Sequence, residues 1–457
     1  MRNGPVLSIP VRLFLHGFFY PAFFTDTFSP IHSDCMLDNS PKKNDRPLFL
    51  LSAEWPYGTG ENFLSGEIPY LLDRFSNLYV LPMFSHGLAR PTDPRITIIE
   101  STPPSDYRIS DLLRGVSCSG GLFGPEWRNS PGYPFSHHSF YLTARSLGIA
   151  RRIEQRILHS VNKNRLKQGL IYSYWMNQAC MGGILAAKNL QWPVVSRAHG
   201  GDLYTERHRG NYLPWHRWKA HNLDHIFPVS HFGSRYLSDR YPEIKDRIHV
   251  HYLGTAKSEK GIRRPGESDS LHLVSCSSII PLKRVELILE TVVDLYRQLK
   301  DDGATAQARI RWTHIGDGPG FGDLKEKARP FQHPDLQVDL LGRMEPELIT
   351  EFYIREKADL FINYSTTEGI PVSIMEAFSC GIPAAAPETG GIPEIVNRDT
   401  GILFGVDEHP AEVAGKLKAV FAADSLVKMG GHAYSMWRNK FDMDKNYRGF
   451  SDFLDRV

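Results

Sequence analysis

Two carboxylates stand eight residues apart in the second half of the chain, at Glu368 and Glu376. The apolar run at 359–365 precedes them and is typical of a buried parallel strand. Pro371 suits the first position of a helix, which predicts a helix over 371–380. Glu368 then lies in the loop before this helix, and Glu376 lies just over one turn into it. We expect both carboxylates at the carboxyl end of a strand, where open α/β sheets bind their ligands.

The first N–H groups of such a helix have no partner within it and form a ready site for an anion or for sugar hydroxyls. Two carboxylates beside that site suit a ligand with both hydroxyls and phosphates, such as a nucleotide sugar. A structural alternative stays open, in which Glu368 stabilises the helix N-terminus by its charge and Glu376 lies on a solvated face. The backbone predicted to contact the ligand is formed by Gly369, Ile370, Pro371, Val372 and Ser373.

The string EGIPVSIMEAFSCGIP at 368–383, followed by GGIPEIV at 390–396, resembles the Glu-x7-Glu signature of the retaining glycosyltransferases of family 4. The resemblance extends over about residues 46–450. It implies the GT-B fold, an α/β architecture of two Rossmann-like, doubly wound parallel-sheet domains that face a cleft, with a C-terminal helix that crosses back to the first domain. It also implies that Glu368 orients the donor sugar and that Glu376 accepts the ribose hydroxyls.

Lys283 stands at the start of a helix predicted over 284–299, where a lysine can lie over a diphosphate as a point charge. A lone lysine is more often a solvated surface residue. In the resembled family, an Arg-x4-Lys spacing supplies two cations for the donor diphosphate, and Lys283 matches the lysine. The arginine position falls on Ser278, which is a departure. Either the Ser278 hydroxyl and backbone amides replace the arginine, or Arg284 moves in, or donor binding is weaker.

A histidine and an aspartate follow another predicted strand, in the string SRAHGGDLY. His199 and Asp202 can face one ligand from that position, although a structural histidine held by its loop is an equal alternative from the residues alone. In the resembled family, a histidine in this context faces the donor sugar. The resemblance therefore implies catalytic roles for His199 and Asp202 together with Glu368.

Two more loops are candidates for ligand contact. Gly58, Thr59 and Gly60 follow the first predicted strand, and glycines let backbone amides approach a phosphate or sugar, although a plain tight turn is the alternative. In the resembled family the matching loop lies between donor phosphate and acceptor. Gly342 and Arg343 follow a later strand, where backbone groups hold the nucleotide base in that family. Arg343 suits stacking on a base, with a surface role as the alternative.

The elements that must position these residues alternate between strands and helices, which predicts parallel doubly wound sheets. Strands are predicted in the first domain at 47–52, 78–83, 95–99, 169–174, 193–197, 225–230 and 248–255. In the second domain they are predicted at 271–275, within 308–319, at 338–341, at 359–365 and within 397–404. The predicted segments are a lead at 1–45, an acceptor domain at 46–255, a linker at 256–268, a nucleotide-sugar domain at 269–425 and a crossover helix at 426–457.

The composition is that of an ordinary globular protein, with 41% hydrophobic and 23% charged residues. The net charge of +2 gives no indication of a nucleic-acid partner. Five scattered cysteines without metal-binding spacing predict a reducing compartment and no structural zinc. For the lead at 1–45, the alternatives are a disordered segment, an upstream start before Met36, a signal peptide and a weak membrane-surface anchor.

The resemblance implies a retaining glycosyltransferase that moves a sugar from a nucleotide-sugar donor to a saccharide or lipid-linked saccharide, in polysaccharide or lipopolysaccharide assembly. No Asp-x-Asp metal site is apparent among the candidate site residues, so we expect no metal requirement and no cofactor. We expect a cytoplasmic protein with peripheral contact at the inner face of the membrane. Three alternatives stay open: a nucleotide-sugar epimerase, a phosphorylase with a pyridoxal-bearing lysine, and a non-catalytic nucleotide-sugar-binding subunit, for which Ser278 is the motive.

Overall fold

The computed structural model describes residues 44–58, 60–100, 108–117, 121–129, 137–263, 270–301, 309–422 and 425–457. Three predictions of the sequence lie outside these ranges: the lead at 1–43, Thr59 of the glycine loop, and the linker residues 264–268.

The first lobe is built around six parallel strands: β1 (Leu48–Ser52), β2 (Leu78–Pro82), β3 (Ile96–Ile98), β4 (Leu170–Ser173), β5 (Val194–Ala198) and β6 (His225–Pro228). Their order across the sheet is β3-β2-β1-β4-β5-β6. Every residue of β1, β2, β4 and β5 is buried, which explains why these strands read as continuous apolar runs.

The second lobe contains another six parallel strands: β7 (Ser270–Cys276), β8 (Arg309–Ile315), β9 (Leu336–Leu340), β10 (Leu360–Ile362), β11 (Ala384–Pro387) and β12 (Gly401–Phe404). Their order is β12-β11-β10-β7-β8-β9, which is the order of the first sheet repeated. Each sheet is therefore doubly wound, with its order reversing between β1 and β4 in one lobe and between β7 and β10 in the other. The predicted fold class is confirmed.

Helices cover the sheets and connect their strands. Those of the first lobe are α1 (Asn62–Arg74), α2 (Arg108–Ser117), α3 (Phe123–Asn129), α4 (His137–Lys163), α5 (Gln178–Leu190), α6 (Gly200–Leu203), α7 (His216–Asn222) and α8 (His231–Arg240). Those of the second lobe and the C-terminal segment are α9 (Val285–Asp301), α10 (Phe321–Ala328), α11 (Pro346–Arg355), α12 (Val372–Ser379), α13 (Pro410–Ala422), α14 (Leu426–Met436) and α15 (Met443–Arg456).

Alternate side chains of β1 pack on opposite faces of the first sheet. Phe49 and Leu51 share a cluster with apolar residues of α4 and α5. Leu48 and Leu50 share another with residues of α1 and with Phe450 of α15. Because both faces are covered, the carboxyl edge of the sheet is the natural place for a ligand site.

The strand predicted at 248–255 is wrong. Ile248 makes one isolated bridge to Ile226, and the N–H groups of His249 and His251 donate to carbonyls of β6 at 2.9 and 3.1 Å. The ladder goes no further because Pro228 has no N–H with which to return a hydrogen bond. The chain then leaves β6 and passes to the second lobe.

The C-terminal segment crosses back to the first lobe, as expected. Within it, α14 packs against α12 of the second lobe, and α15 packs against α1 of the first. The two crossing segments meet at Thr255, whose N–H donates to Phe441 O at 3.0 Å and whose carbonyl accepts from Met443 N–H at 3.1 Å. A Cβ at Gly254 would lie 2.6 Å from Met443 Cα, so the glycine permits this close approach.

Within the ranges described, no helix is both long and apolar enough to cross a bilayer.

Candidate active site

Lys283 and Glu368 come together at the switch point of the second sheet. β7 and β10 are neighbours there, and each leads into one of the two loops that carry these residues. The loops are tied by Thr366, whose N–H donates to Leu282 O at 3.0 Å. Lys283 Nζ forms an ion pair with Glu368 Oε1, with 22% and 13% of the two side chains exposed. A cation and a carboxylate thus share one partly buried site.

The paired glycines of GGIPEIV explain how the Glu368 loop is held. A Cβ at Gly390 would lie 2.0 Å from Glu368 O, and a Cβ at Gly391 would lie 1.9 Å from Gly369 O. Gly390 also has a φ of +55°, in the left-handed region that favours glycine. Any larger residue at either position would displace the Glu368 loop.

The helix predicted over 371–380 is α12, and it begins one residue later than expected. Pro371 occupies the N-cap, with φ −67° and ψ 122°, so Val372 is the first helical residue. The N–H groups of Val372 and Ser373 lie in the first turn and have no acceptor within the helix. They and the positive end of the helix dipole lie beside the loop that carries Glu368.

Glu376 lies on the second turn of α12, and its side chain is partly exposed. Its carboxylate has no hydrogen bond or ion pair with any residue that the structure describes. Burial raises the pKa of this carboxyl to about 8. Burial and then the Glu376 charge raise the pKa of the Cys276 thiol, at the end of β7, to about 12. An isolated carboxyl near a strand end is a site that a ligand with hydroxyl donors can complete.

The other residues predicted for the donor site also lie at this edge of the sheet. Ser278 is exposed in the loop after β7. Arg284 does not take its place as a free cation, because its Nε donates to Tyr364 O at 2.9 Å. Gly342 has φ +71° and accepts from Gly316 N–H at 2.8 Å, and exposed Arg343 follows it.

His199 directly follows β5 and lies against an aromatic wall. Its ring centroid is 5.0 Å from that of Tyr174 and 4.3 Å from that of Trp175. The residue is only 8% exposed, and its Nδ1 lies 3.9 Å from Asp202 Oδ2, yet neither ring nitrogen has a hydrogen-bond partner among the described residues. Buried polar atoms are normally paired, so these nitrogens are available to a ligand or to water.

Asp202 is engaged by the backbone. One carboxylate oxygen accepts from His199 N–H and the other from Met176 N–H, both at 2.6 Å. The Met176 carbonyl in turn accepts from buried Lys219 at 2.6 Å. Asp202 therefore fixes the position of His199 relative to the loop after β4.

The glycine loop after β1 is organised by two glutamates that the sequence did not single out. Glu61 accepts from the N–H groups at 53, 54 and 55, at 3.0, 2.7 and 2.7 Å. Glu54 accepts from Gly60 N–H at 2.6 Å, and its carboxylate lies where a Cβ at Gly58 or Gly60 would clash. An anion that entered this loop would have to displace Glu54.

The two lobes touch at the predicted site. A Cβ at Gly200 would lie 3.4 Å from Gly369 N, so the His199 turn and the Glu368 loop are neighbours across the cleft. The guanidinium of Arg207 packs against Gly200, and Nη2 donates to Thr367 O at 3.3 Å. The predicted catalytic residues of both lobes are therefore brought to one place.

A second contact between the lobes involves Glu394, the glutamate of GGIPEIV. Its carboxylate accepts from His231 and Phe232 N–H, at 2.9 and 2.7 Å, at the N-terminus of α8. The Tyr252 hydroxyl also donates to it, at 3.0 Å. Negative charge at a helix N-terminus is stabilising, so Glu394 holds the lobes together.

Sequence reasoning missed Arg207, Glu394, Glu54 and Glu61. Glu394 was quoted within GGIPEIV, but its partners lie more than a hundred residues earlier in the chain, and spacing carries no signal for such a contact. In the described ranges, no group of three or more His, Cys, Asp or Glu side chains is placed to hold a metal ion. The expectation of a metal-independent reaction stays a prediction.

Comparisons with known proteins agree with this architecture. The sequence pattern of the family described as "Glycosyl transferases group 1" matches residues 270–422. The chain is similar to the putative colanic acid biosynthesis glycosyltransferase WcaL of Escherichia coli, with 27% identity over 52% of this chain and 59% of that protein. It is similar to the amylovoran biosynthesis glycosyltransferase AmsK of Erwinia amylovora, with 26% identity over 59% and 65%. Both matches span less than two thirds of the relative.

Solved structures share the fold at low sequence identity. Anabaena HepE in complex with UDP-glucose has a TM-score of 0.59 at 15% identity and covers 90% of this chain and 100% of that one. The lipopolysaccharide outer core galactosyltransferase WaaB has a TM-score of 0.61 at 14% identity, over 89% and 99%. The match to the group 1 glycosyl transferases covers residues 270–422, which contain the whole second sheet, and the chain has the GT-B fold.

Proposed function

We propose that this protein is a retaining glycosyltransferase that moves a sugar from a nucleotide-sugar donor to a saccharide or lipid-linked saccharide. The observation that carries the proposal is the meeting of Lys283, Glu368 and the start of α12 at the switch point of the second sheet. The named processes of WcaL and AmsK support a role in cell-surface polysaccharide or lipopolysaccharide assembly. The UDP-glucose bound by HepE supports a nucleotide-sugar donor.

In this proposal the donor diphosphate lies between Lys283 and the N–H groups of Val372 and Ser373. Groups that face the charge developing on a leaving diphosphate lower the barrier by a few kcal/mol. Glu368 exchanges its bond to Lys283 for a hydrogen bond to the donor sugar and orients it. Glu376 accepts the two ribose hydroxyls, since one carboxylate can take a pair of donors. Gly369, Ile370 and the Gly342–Arg343 turn complete the donor contacts.

Arg207 supplies the positive charge that Ser278 does not. Its guanidinium reaches from the first lobe to the Thr367 carbonyl, one residue from Glu368. A guanidinium is always charged and can bind phosphate oxygens in pairs, which an exposed serine hydroxyl cannot. We assign Arg207 to the donor diphosphate when the lobes are closed.

His199 faces the donor sugar from the first lobe in this proposal, with Nε2, which has no hydrogen-bond partner among the described residues, directed to a sugar hydroxyl. Asp202 is a positioning residue, because both of its oxygens are occupied by backbone N–H groups. We propose a reaction without metal or cofactor, in which cations and amides neutralise the diphosphate. We place the protein in the cytoplasm, in peripheral contact with the inner face of the membrane, where lipid-linked acceptors lie.

The test is a thermal-unfolding panel of nucleoside diphosphates and nucleotide sugars on the wild type, Glu376→Ala and the exposed control Glu347→Ala. A ligand at a hundred times its Kd stabilises the folded state by about 2.7 kcal/mol. We expect one nucleotide class to stabilise the wild type and Glu347→Ala, and to lose its effect in Glu376→Ala. If no nucleotide stabilises the wild type, the proposal fails.

The stabilising nucleotide sugar is then incubated with acceptor saccharides, and the anomeric configuration of the product is read from proton NMR. Retention supports the proposed reaction. An epimer formed from donor alone would identify an epimerase instead, and binding without turnover for every acceptor would favour a non-catalytic subunit.

A further inference from the structure

A cavity of about 210 Å³ lies in the first lobe, apart from the Glu368 site. It is bounded by residues 142–149 of α4, the start of α5 and the segment 208–214. α4 leads into β4 and α5 follows β4, so the start of each helix lies at the carboxyl edge of the sheet. The cavity therefore opens on the side of the sheet that faces the cleft.

The cavity joins the turn that carries His199. His208 lines it, and His208 Nε2 lies 2.8 Å from Gly201 O, within that turn. Gln178, the first residue of α5, also lines the cavity. It lies two residues after Met176, whose N–H donates to Asp202. A group bound in the cavity would therefore lie near the turn that carries the predicted catalytic histidine.

The charged side chains that line the cavity are positive. Arg145 and Arg209 line it, and neither makes an ion pair or a side-chain hydrogen bond with the residues that the structure describes. Arg145 Nε is buried and without a partner. Glu126 touches one wall residue, since its carboxylate accepts from the Tyr212 hydroxyl and from Trp215 N–H at 2.9 and 2.8 Å. No carboxylate is among the described residues that line the cavity.

Three other cavities show that this is not a general property of the surface. Their volumes are about 310, 400 and 440 Å³, and each includes at least one carboxylate in its lining, such as Asp93, Glu290 and Glu326. A buried guanidinium nitrogen without a partner is costly, and an oxyanion is the group that satisfies it best. The cavity with Arg145 and Arg209 differs from these three in having no carboxylate among its described lining residues.

We infer that this cavity binds an anionic group of the acceptor, a phosphate or a carboxylate, between Arg145 and Arg209. The volume is below the roughly 300–1000 Å³ typical of sites for whole drug-sized ligands, which suits a single charged group with its adjacent ring edge. Leu142 and Leu213 provide an apolar wall for that edge. The assignment to the acceptor rests on the proposed function, whereas binding of the anion does not.

The test titrates the full chain with glucose, glucose 6-phosphate and glucuronate by isothermal calorimetry. The variants are Arg145→Gln, Arg209→Gln, the exposed control Arg329→Gln, and Lys283→Gln, which removes the cation of the donor site. We expect glucose 6-phosphate or glucuronate to bind more tightly than glucose, and the preferred one identifies a phosphate or a carboxylate as the group. Each cavity variant should weaken that binding roughly tenfold or more, and Arg329→Gln and Lys283→Gln should leave it unchanged.

The inference is overturned if neither charged sugar binds more tightly than glucose, or if both cavity variants bind as the wild type does. It is also overturned if the loss occurs in Lys283→Gln alone, because the anion would then lie in the donor site. Arg209 is exposed, so Arg209→Gln tests the charge without disturbing the core. Failure of the proposed function is separate, since it appears as absence of nucleotide binding in the thermal panel.

Discussion

Glu376→Gln should make the stability of this protein less sensitive to rising pH. Burial raises the pKa of the Glu376 carboxyl to about 8 in the folded chain, against about 4.3 in an unfolded one. The folded state thus holds this proton more tightly than the unfolded state does. Stability from the protonated carboxyl is fully present below about pH 4 and is lost as pH rises towards 8.

The size of the effect follows from the same linkage. Between pH 5 and pH 7 the group is ionised mainly in the unfolded chain, and each pH unit then costs about 1.4 kcal/mol. The wild type should lose about 2 kcal/mol more than Glu376→Gln over this interval, a value below the full linkage because the carboxyl is partly exposed. Glutamine keeps the size of the side chain and removes only its titration.

Urea unfolding at pH 5, 6 and 7 measures the difference. Glu347→Gln, on the exposed surface of α11, serves as a matched control and should follow the wild type at every pH. Parallel profiles for the wild type and Glu376→Gln would refute the reasoning, because they would mean that the carboxyl ionises alike in both states.

The same carboxyl connects pH to the proposed donor site. Ribose hydroxyls donate hydrogen bonds and favour the ionised form, so binding of a nucleotide sugar at pH 7 should release a proton from Glu376. Calorimetry in two buffers of different ionisation enthalpy counts that proton. The wild type should release close to one, and a ligand that binds without release would argue against contact with Glu376.

Three further substitutions test the cleft. Lys283→Gln and Arg207→Gln should each weaken binding of the nucleotide sugar found in the thermal panel roughly tenfold or more, as measured by calorimetry. The exposed control Lys327→Gln should bind it as the wild type does. If Lys283→Gln and Arg207→Gln bind it as tightly as this control, neither cation belongs to the donor site. Glu394→Ala should lower the free energy of unfolding by about 1–3 kcal/mol in urea, because two backbone N–H groups and the Tyr252 hydroxyl lose their acceptor. The exposed control Glu388→Ala should stay within about 0.5 kcal/mol of the wild type, and an equal loss in both would show that Glu394 makes no special contact.

The sequence allowed the fold class to be predicted because each parallel strand is buried and ends in a loop that carries glycine or polar residues. The apolar runs of β1, β4 and β5 and the string around Glu368 are local signals, and the structure confirms those elements within a residue or two. Pro371 shows the usual limit, since proline is accepted at the N-cap as well as in the first turn.

The strand predicted at 248–255 fails for a reason that its own residues do not contain. The run is apolar enough to form a strand beside β6. However, β6 ends in Pro228, which has no N–H to donate to that strand. Arg207 and Glu394 were invisible for a related reason, because their partners belong to the opposite lobe. Local patterns predict an element, whereas a contact between lobes depends on where two elements lie in space.

The ion pair between Lys283 and Glu368 indicates the order of events in the proposed site. Each charge neutralises the other in a site where less than a quarter of either side chain is exposed. Removing one partner would leave the charge of the other uncompensated, which is costly in a partly buried site.

A diphosphate carries more negative charge than one carboxylate, so it can attract Lys283 away from Glu368. The N–H groups of Val372 and Ser373 then also contact the diphosphate. Only then does Glu368 lose its ion pair with Lys283, and its carboxylate can accept a hydrogen bond from a sugar hydroxyl instead. The donor phosphate must therefore bind before Glu368 can orient the sugar, and a free monosaccharide without a diphosphate should not bind this site.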